Sequence, residues 1–177
     1  MPKLQYDQQF KNVPPSCLYS VPGGVLSLSG PALQEFLRAV LSRGASFRFK
    51  ARGFSMHPFI QDGDNLTIIP VKGGKLRCGQ VAAFCHPETG KLVVHRLLCR
   101  RPGGVLVRGD NIPDADGLIR PADVLGLVTR VERQGRAVLL GLGPERRLIA
   151  WLSRHNLLKP VIFRAGQLLR PWRRTLV

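Results

Sequence analysis

Gly79-Gln-Val-Ala-Ala-Phe-Cys85 and Lys91-Leu-Val-Val-His-Arg-Leu-Leu98, parted by Pro87-Glu-Thr-Gly90, are the two stretches on which the fold turns. Each is a short apolar run bounded by turn residues, so each reads as a strand. Working outward, Phe47-Arg-Phe-Lys-Ala51 and Asn65-Leu-Thr-Ile-Ile69 alternate with period two upstream. Downstream strand candidates are Gly104 to Arg108, Val124 to Val131 and Arg136 to Leu140. Turns fall at Asp62-Gly63, Lys72-Gly-Gly-Lys75, Pro102-Gly-Gly104 and Arg133-Gln-Gly135. Residues 45–141 therefore predict a mostly β, compact body of short strands.

The flanks read differently. Residues 1–44 form an N-terminal arm, irregular from Met1 to Pro22, followed by an amphipathic helix. Ser29 opens that helix with Pro31 in its first turn, Leu33, Phe36, Leu37, Val40 and Leu41 recur at helical spacing, and Gly44 closes it. Residues 142–177 are a basic tail. The 177-residue chain carries 27 Lys plus Arg against 11 Asp plus Glu, a net charge of +16. No acidic residue follows Glu145, whereas eight basic residues do, so the tail holds half of the excess. Leu148, Trp151, Leu152, Leu158, Ile162, Leu169 and Trp172 approximate one helical face there, with Pro160 expected to split the run into two helices. A basic amphipathic helix with terminal tryptophans is the pattern of a peripheral contact with an anionic membrane surface. The competing reading, that the stripe packs on the β body, is nearly as strong. Nucleic acid is the weakest partner, because no aromatic stripe interleaves with the basic residues and Tyr and Trp number two each.

Composition excludes other classes. A hydrophobic fraction of 44% and a charged fraction of 21% rule out a wholly disordered or fibrous chain. Cys17, Cys78, Cys85 and Cys99 show no C-x-x-C spacing, which argues against a metal knuckle and for free thiols in a reducing compartment. Neither a metal nor a cofactor is expected. Met1 to Lys11 lacks the features of a secretory signal, and the uncharged stretch from Asn12 to Gln34 is broken by Pro14, Pro15, Pro22 and Pro31. The expectation is a cytoplasmic or peripherally membrane-associated protein, with no signal peptide or transmembrane helix evident.

Three stretches carry candidate chemistry: Gly53-Phe-Ser-Met-His-Pro58 leading to Asp62-Gly-Asp64, then Val93-Val-His-Arg96, then Arg108-Gly-Asp-Asn-Ile-Pro-Asp-Ala-Asp116. A serine hydroxyl is a poor nucleophile at neutral pH and needs a base within reach. An imidazole serves when a carboxylate fixes its tautomer. The chain supplies Ser55, His95 and a choice of Asp110, Asp114 or Asp116. Singly, each has a plain structural reading: a turn hydroxyl, a strand histidine, a loop cap.

The order Ser-Met-x-Pro, Asp-Gly-Asp, Gly-Gln-Val-Ala-Ala-Phe, His-Arg, Gly-Asp-Asn over residues 47–131 resembles the signal peptidase I family and its wider clan, which includes the LexA-like repressor peptidases. The His-Arg box is closest to the archaeal and endoplasmic-reticulum type, which has a histidine where bacterial housekeeping enzymes have lysine. The resemblance implies a twisted, β-barrel-like fold and a serine endopeptidase acting on signal or leader peptides of precursor proteins. It implies Ser55 as nucleophile, His95 as general base, Asp116 as the residue orienting the base and Asp110 as a residue shaping the site. Gly53 stands where many signal peptidases have a serine, which leaves more oxyanion stabilisation to the Ser55 backbone N–H. Phe54 is bulkier than the family's usual residue, and the family's usual membrane anchor is not seen. Lys91, four residues before His95, is a weaker candidate base, because it follows a turn and is expected to be exposed. A self-cleaving LexA-like regulator is the first alternative, but only one helix precedes the β body and no Ala-Gly pair lies upstream of Ser55. The second is an inactive basic lipid- or nucleic-acid-binding module.

Overall fold

The computed structural model describes residues 17–21, 24–28, 30–71, 73 and 76–169. A hairpin of β1 (Cys17–Val21) and β2 (Gly24–Leu28) precedes helix α1 (Gly30–Ser42). The body follows as β3 (Phe47–Lys50), β4 (Asn65–Ile69), β5 (Val81–Cys85), β6 (Leu92–Arg101), β7 (Gly104–Arg108), β8 (Gly117–Ile119), β9 (Val124–Arg133) and β10 (Arg136–Ala137). Helices α2 (Arg146–Arg154) and α3 (Leu158–Leu169) come last. The main sheet is antiparallel in the order β3-β4-β9-β5-β6-β7-β8, with β10 pairing β9; the path is open at β3 and β8.

The pattern of β5 explains its apolar run. Both faces of this central strand are covered: Val81 and Ala83 join one core, Ala82 and Phe84 the other. A strand buried on both sides has no polar face to alternate with. The first core lies under α1, whose Leu33, Leu37 and Leu41 meet Phe47, Leu66 and Ile68. The second holds Leu97, Val105, Val107 and Ile119 on the opposite face. A third, smaller cluster seats Ile149 and Leu158 of the C-terminal helices on Phe59.

Four sequence expectations are corrected. The arm is not irregular as far as Pro22, since β1 lies within it and pairs with β2 just beyond it. The strand expected at 136–140 stops at Ala137, and Leu139 and Leu140 leave the sheet exposed. The three-residue β8 was not foreseen; with Pro113 and three aspartates before it, it carries no strand signal of its own and exists because it pairs with β7. The C-terminal break falls before Pro160. Asn156 adopts a left-handed conformation, φ 59°, between α2 and α3, and Pro160 sits in the first turn of α3, where its missing N–H costs nothing. Leu169 and Trp172 of the proposed face lie outside the side chains described.

Glu145 ties the β body to α2. Its Oε1 accepts from the Gly141 N–H at 2.7 Å and the Gly143 N–H at 3.0 Å. Burial pushes its carboxyl up, but these N–H groups, its own N–H and the nearby Arg96 charge outweigh burial, and the net shift is downward. A carboxyl depressed on folding stabilises the fold above its unfolded value and loses that contribution as pH falls through the folded one. Glu145→Gln is therefore expected to lower stability by roughly 1 kcal/mol at neutral pH. Thermal melts of both proteins should converge as the pH drops below the ordinary value of 4.5; a gap independent of pH would contradict this.

Candidate active site

Strand alternation decides which carboxylate meets which base. His95 and Arg96 are consecutive in β6, so their side chains leave on opposite faces of the sheet. Arg96 is wholly buried and forms a bidentate pair with Asp110, Nε to Oδ1 at 2.8 Å and Nη2 to Oδ2 at 2.7 Å. Its Nη1 donates to the carbonyls of Gly79 and Gly141, both at 2.8 Å, and the guanidinium lies 5.5 Å from the centroid of the Phe59 ring. On the other face, His95 Nδ1 is 2.5 Å from Asp116 Oδ2. A carboxylate only accepts, so Nδ1 carries the proton, and in the neutral ring Nε2 is the acceptor edge. His95 is buried, and its imidazole packs edge-on to Phe84, ring centroids 6.3 Å apart.

Both carboxylates sit in the β7–β8 connection, residues 109–116. The Asp116 N–H donates to the Val107 carbonyl at 3.0 Å, so the β7–β8 pairing sets where Asp116 projects. Arg108 fastens the same connection to the C-terminal helices. Its Nη1 donates to the Pro113 carbonyl and to Asn156 Oδ1, and its Nε and Nη2 both donate to Ser153 Oγ. Burial lowers the Arg108 guanidinium from its ordinary value, against the pull of Asp110 and Asp114. Asp114, the third candidate carboxylate, is exposed and meets neither His95 nor Arg96.

Ser55 comes from the loop between β3 and β4. Asp62 Oδ1 accepts the Gly53 N–H at 2.8 Å, and Gly53 has φ +93°, a conformation open to glycine and strained for other residues. That requirement accounts for glycine two positions before Ser55 without recourse to chemistry. Asp64, buried beneath the loop, accepts the Gln61 N–H and a bidentate pair from Arg133. The loop is then clipped to the 109–116 connection by Asn111, whose N–H donates to the Ser55 carbonyl at 2.7 Å and whose Nδ2 donates to the Phe54 carbonyl at 3.2 Å. Asn111 was not singled out from sequence. Its signal was present in the Gly-Asp-Asn box, but the loop it grips cannot be read from spacing.

Ser55 and His95 therefore share one wall. A methyl group placed on Gly109 would stand 2.7 Å from the Ser55 carbonyl oxygen and 3.0 Å from His95 Nε2, so only glycine fits between them. Both residues line a cleft of about 480 Å³, with Leu33 of α1 and Met56, Ile60 and Leu66 among its apolar lining. Ser55 Oγ and His95 Nε2 are not hydrogen-bonded to each other. Among the described residues, neither atom has another hydrogen-bond partner, and the Ser55 N–H has no acceptor. Lys91 also lines the cleft, at its exposed rim. Phe54 is 67% exposed, outside the apolar lining. Among the described residues, no group of three His, Cys, Asp or Glu side chains converges on a metal-sized site. Cys78, Cys85 and Cys99 are free thiols.

No family model matches the chain, and neither does any curated protein or solved structure.

Proposed function

We propose that the chain is a serine endopeptidase of the signal-peptidase type, with the barrel-like body of that clan, cleaving signal or leader peptides of precursor proteins. The observation that carries this reading is the His95–Asp116 pair, with Nε2 left open beside Gly109 on the cleft that Ser55 also lines. Ser55 Oγ attacks the scissile carbonyl as His95 Nε2 takes its proton. The tetrahedral oxyanion is met by the unengaged Ser55 N–H. His95 then returns the proton to the leaving amine, and water, activated by the same nitrogen, hydrolyses the acyl-enzyme. Asp116 holds the Nδ1 proton throughout. The Ser55–His95 hydrogen bond forms when substrate fills the cleft, since catalytic contacts of this kind tighten on binding. The apolar lining suits an uncharged, extended segment of substrate.

Labelling tests the proposal. A serine-reactive acylating probe is expected to modify the wild-type chain at Ser55 and to leave Ser55→Ala unmodified. Equal labelling of both proteins, or none of either, would favour the inactive binding module. The LexA-like alternative gains no support: among the described residues before β3 stand one hairpin and one helix, not a helix-turn-helix.

A further inference from the structure

The C-terminal helices divide their apolar residues between two surfaces. Ile149 and Leu158 are buried on Phe59, and Leu152 and Ile162 pack at the edge of that cluster. Leu148, Trp151, Leu157, Val161 and Phe163 remain exposed, Trp151 at 53% and Phe163 at 67%. On α2 the exposed side runs Arg147, Trp151, Arg154, so the indole lies between two guanidinium side chains at i−4 and i+3. Lys159 and Arg164 are likewise exposed on α3. No Asp or Glu occurs from residue 146 to 177, so nothing within the segment neutralises this face.

We propose that the exposed side of α2 and α3 docks on the surface of an anionic lipid bilayer. The occupant must accept apolar side chains and supply negative charge at once, and a phospholipid interface does both. Leu148, Leu157, Val161 and Phe163 enter the acyl boundary, Trp151 takes the headgroup zone, and the arginines reach the phosphates while their methylene stems stay in the apolar layer. Nucleic acid would answer the charge but leave the aliphatic side chains against water, since bases stack on planar groups. The platform is firm. Arg108 bonds Ser153 and Asn156, and the Phe59 cluster seats the helices from below, so the face is presented without a folding step.

Vesicle binding of the full chain decides the matter. Affinity for phosphatidylcholine vesicles containing phosphatidylglycerol should exceed that for phosphatidylcholine alone by at least about tenfold, given about fivefold per basic residue near an anionic surface, and should fall with salt. Arg147→Glu with Arg154→Glu should lose at least about tenfold, and Trp151→Ala with Phe163→Ala several-fold, on the same anionic vesicles. In Trp172→Phe, which keeps Trp151 as the single indole, bromine-bearing lipid should quench the fluorescence; this reading does not depend on the other variants folding. Equal binding to neutral and anionic vesicles, an unquenched Trp151, or tighter binding to a single-stranded oligonucleotide than to anionic vesicles would overturn the proposal. None of these readouts uses peptidase activity, so the outcome is separate from that of the proposed catalytic site.

Discussion

Cleavage of a peptide substrate by Ser55→Ala and by His95→Ala is expected to fall by ~10⁴ or more relative to wild type, the usual cost of removing one member of a triad that acts as a unit. The two losses should be similar, and the double variant hardly worse, because a nucleophile without its base and a base without its nucleophile fail at the same step. Stability separates them. Ser55 Oγ has no hydrogen-bond partner among the described residues, so Ser55→Ala should melt within about 0.5 kcal/mol of wild type. His95→Ala strips Asp116 of its partner and opens space beside Phe84, at a cost of about 1–3 kcal/mol. Far-UV circular dichroism and thermal melts alongside the kinetics distinguish lost chemistry from lost fold. Lys91→Ala, at the exposed rim, serves as the control and should retain near wild-type turnover. Residual activity in His95→Ala above about a hundredth of wild type, against the usual triad loss, with Lys91→Ala inactive, would transfer the role of base to Lys91.

Much of this arrangement was legible in the chain because it is local. Period-two alternation in β3 and β4, the apolar run of β5 and the helical spacing in α1 each encode burial directly, and the structure places those elements within one or two residues of their reading. What escaped the sequence is non-local. β8 has three residues and no pattern, and exists through its ladder with β7. The β1–β2 hairpin pairs Cys17–Val21 with Gly24–Leu28, in a stretch whose prolines and glycines suggested no regular structure. The end of α2 depends on Asn156 tolerating a left-handed backbone, a property sequence permits but does not announce.

The site shows the same division. Ser55, His95 and three aspartates were visible as residue types, yet spacing could not choose among Asp110, Asp114 and Asp116. The choice is made by the parity of β6. Because His95 and Arg96 are neighbours on one strand, a single connection can serve both faces, and it does so with two carboxylates six positions apart. Arg96 and Arg108, which read as contributors to a basic composition, prove to be interior fasteners. The net charge of +16 therefore overstates the charge offered to a partner, and the exposed α2–α3 face is the better guide.

Parity also gives the second large effect. Asp110→Asn and Asp116→Asn are the same chemical change, six residues apart, with opposite expected consequences. Among the described residues, Asp110 is the only carboxylate against a wholly buried guanidinium; both side chains of the pair are 0% exposed. Removing its charge leaves Arg96 charged and uncompensated in the interior, which typically costs about 3–5 kcal/mol. The damage should reach the loop that carries Ser55, since Asp110 lies between Gly109 and Asn111, the residues that flank Nε2 and hold the Ser55 carbonyl. Turnover and substrate affinity should therefore worsen together, in proportion to unfolding. Among the described residues, the Asp116 side chain pairs with His95 alone, and 13% of it is exposed. An asparagine there can still hydrogen-bond the ring but can donate to Nδ1, which selects the tautomer with the proton on Nε2. That ring cannot accept from Ser55. The expected loss is ~10⁴ in kcat, with KM and melting temperature little changed. Denaturant unfolding and steady-state kinetics of the two variants, measured side by side, read both axes. If the effects came out exchanged, Asp110 would be the residue that orients the base; small effects on turnover from both would reduce the two carboxylates to loop caps and leave His95 without its orienting partner.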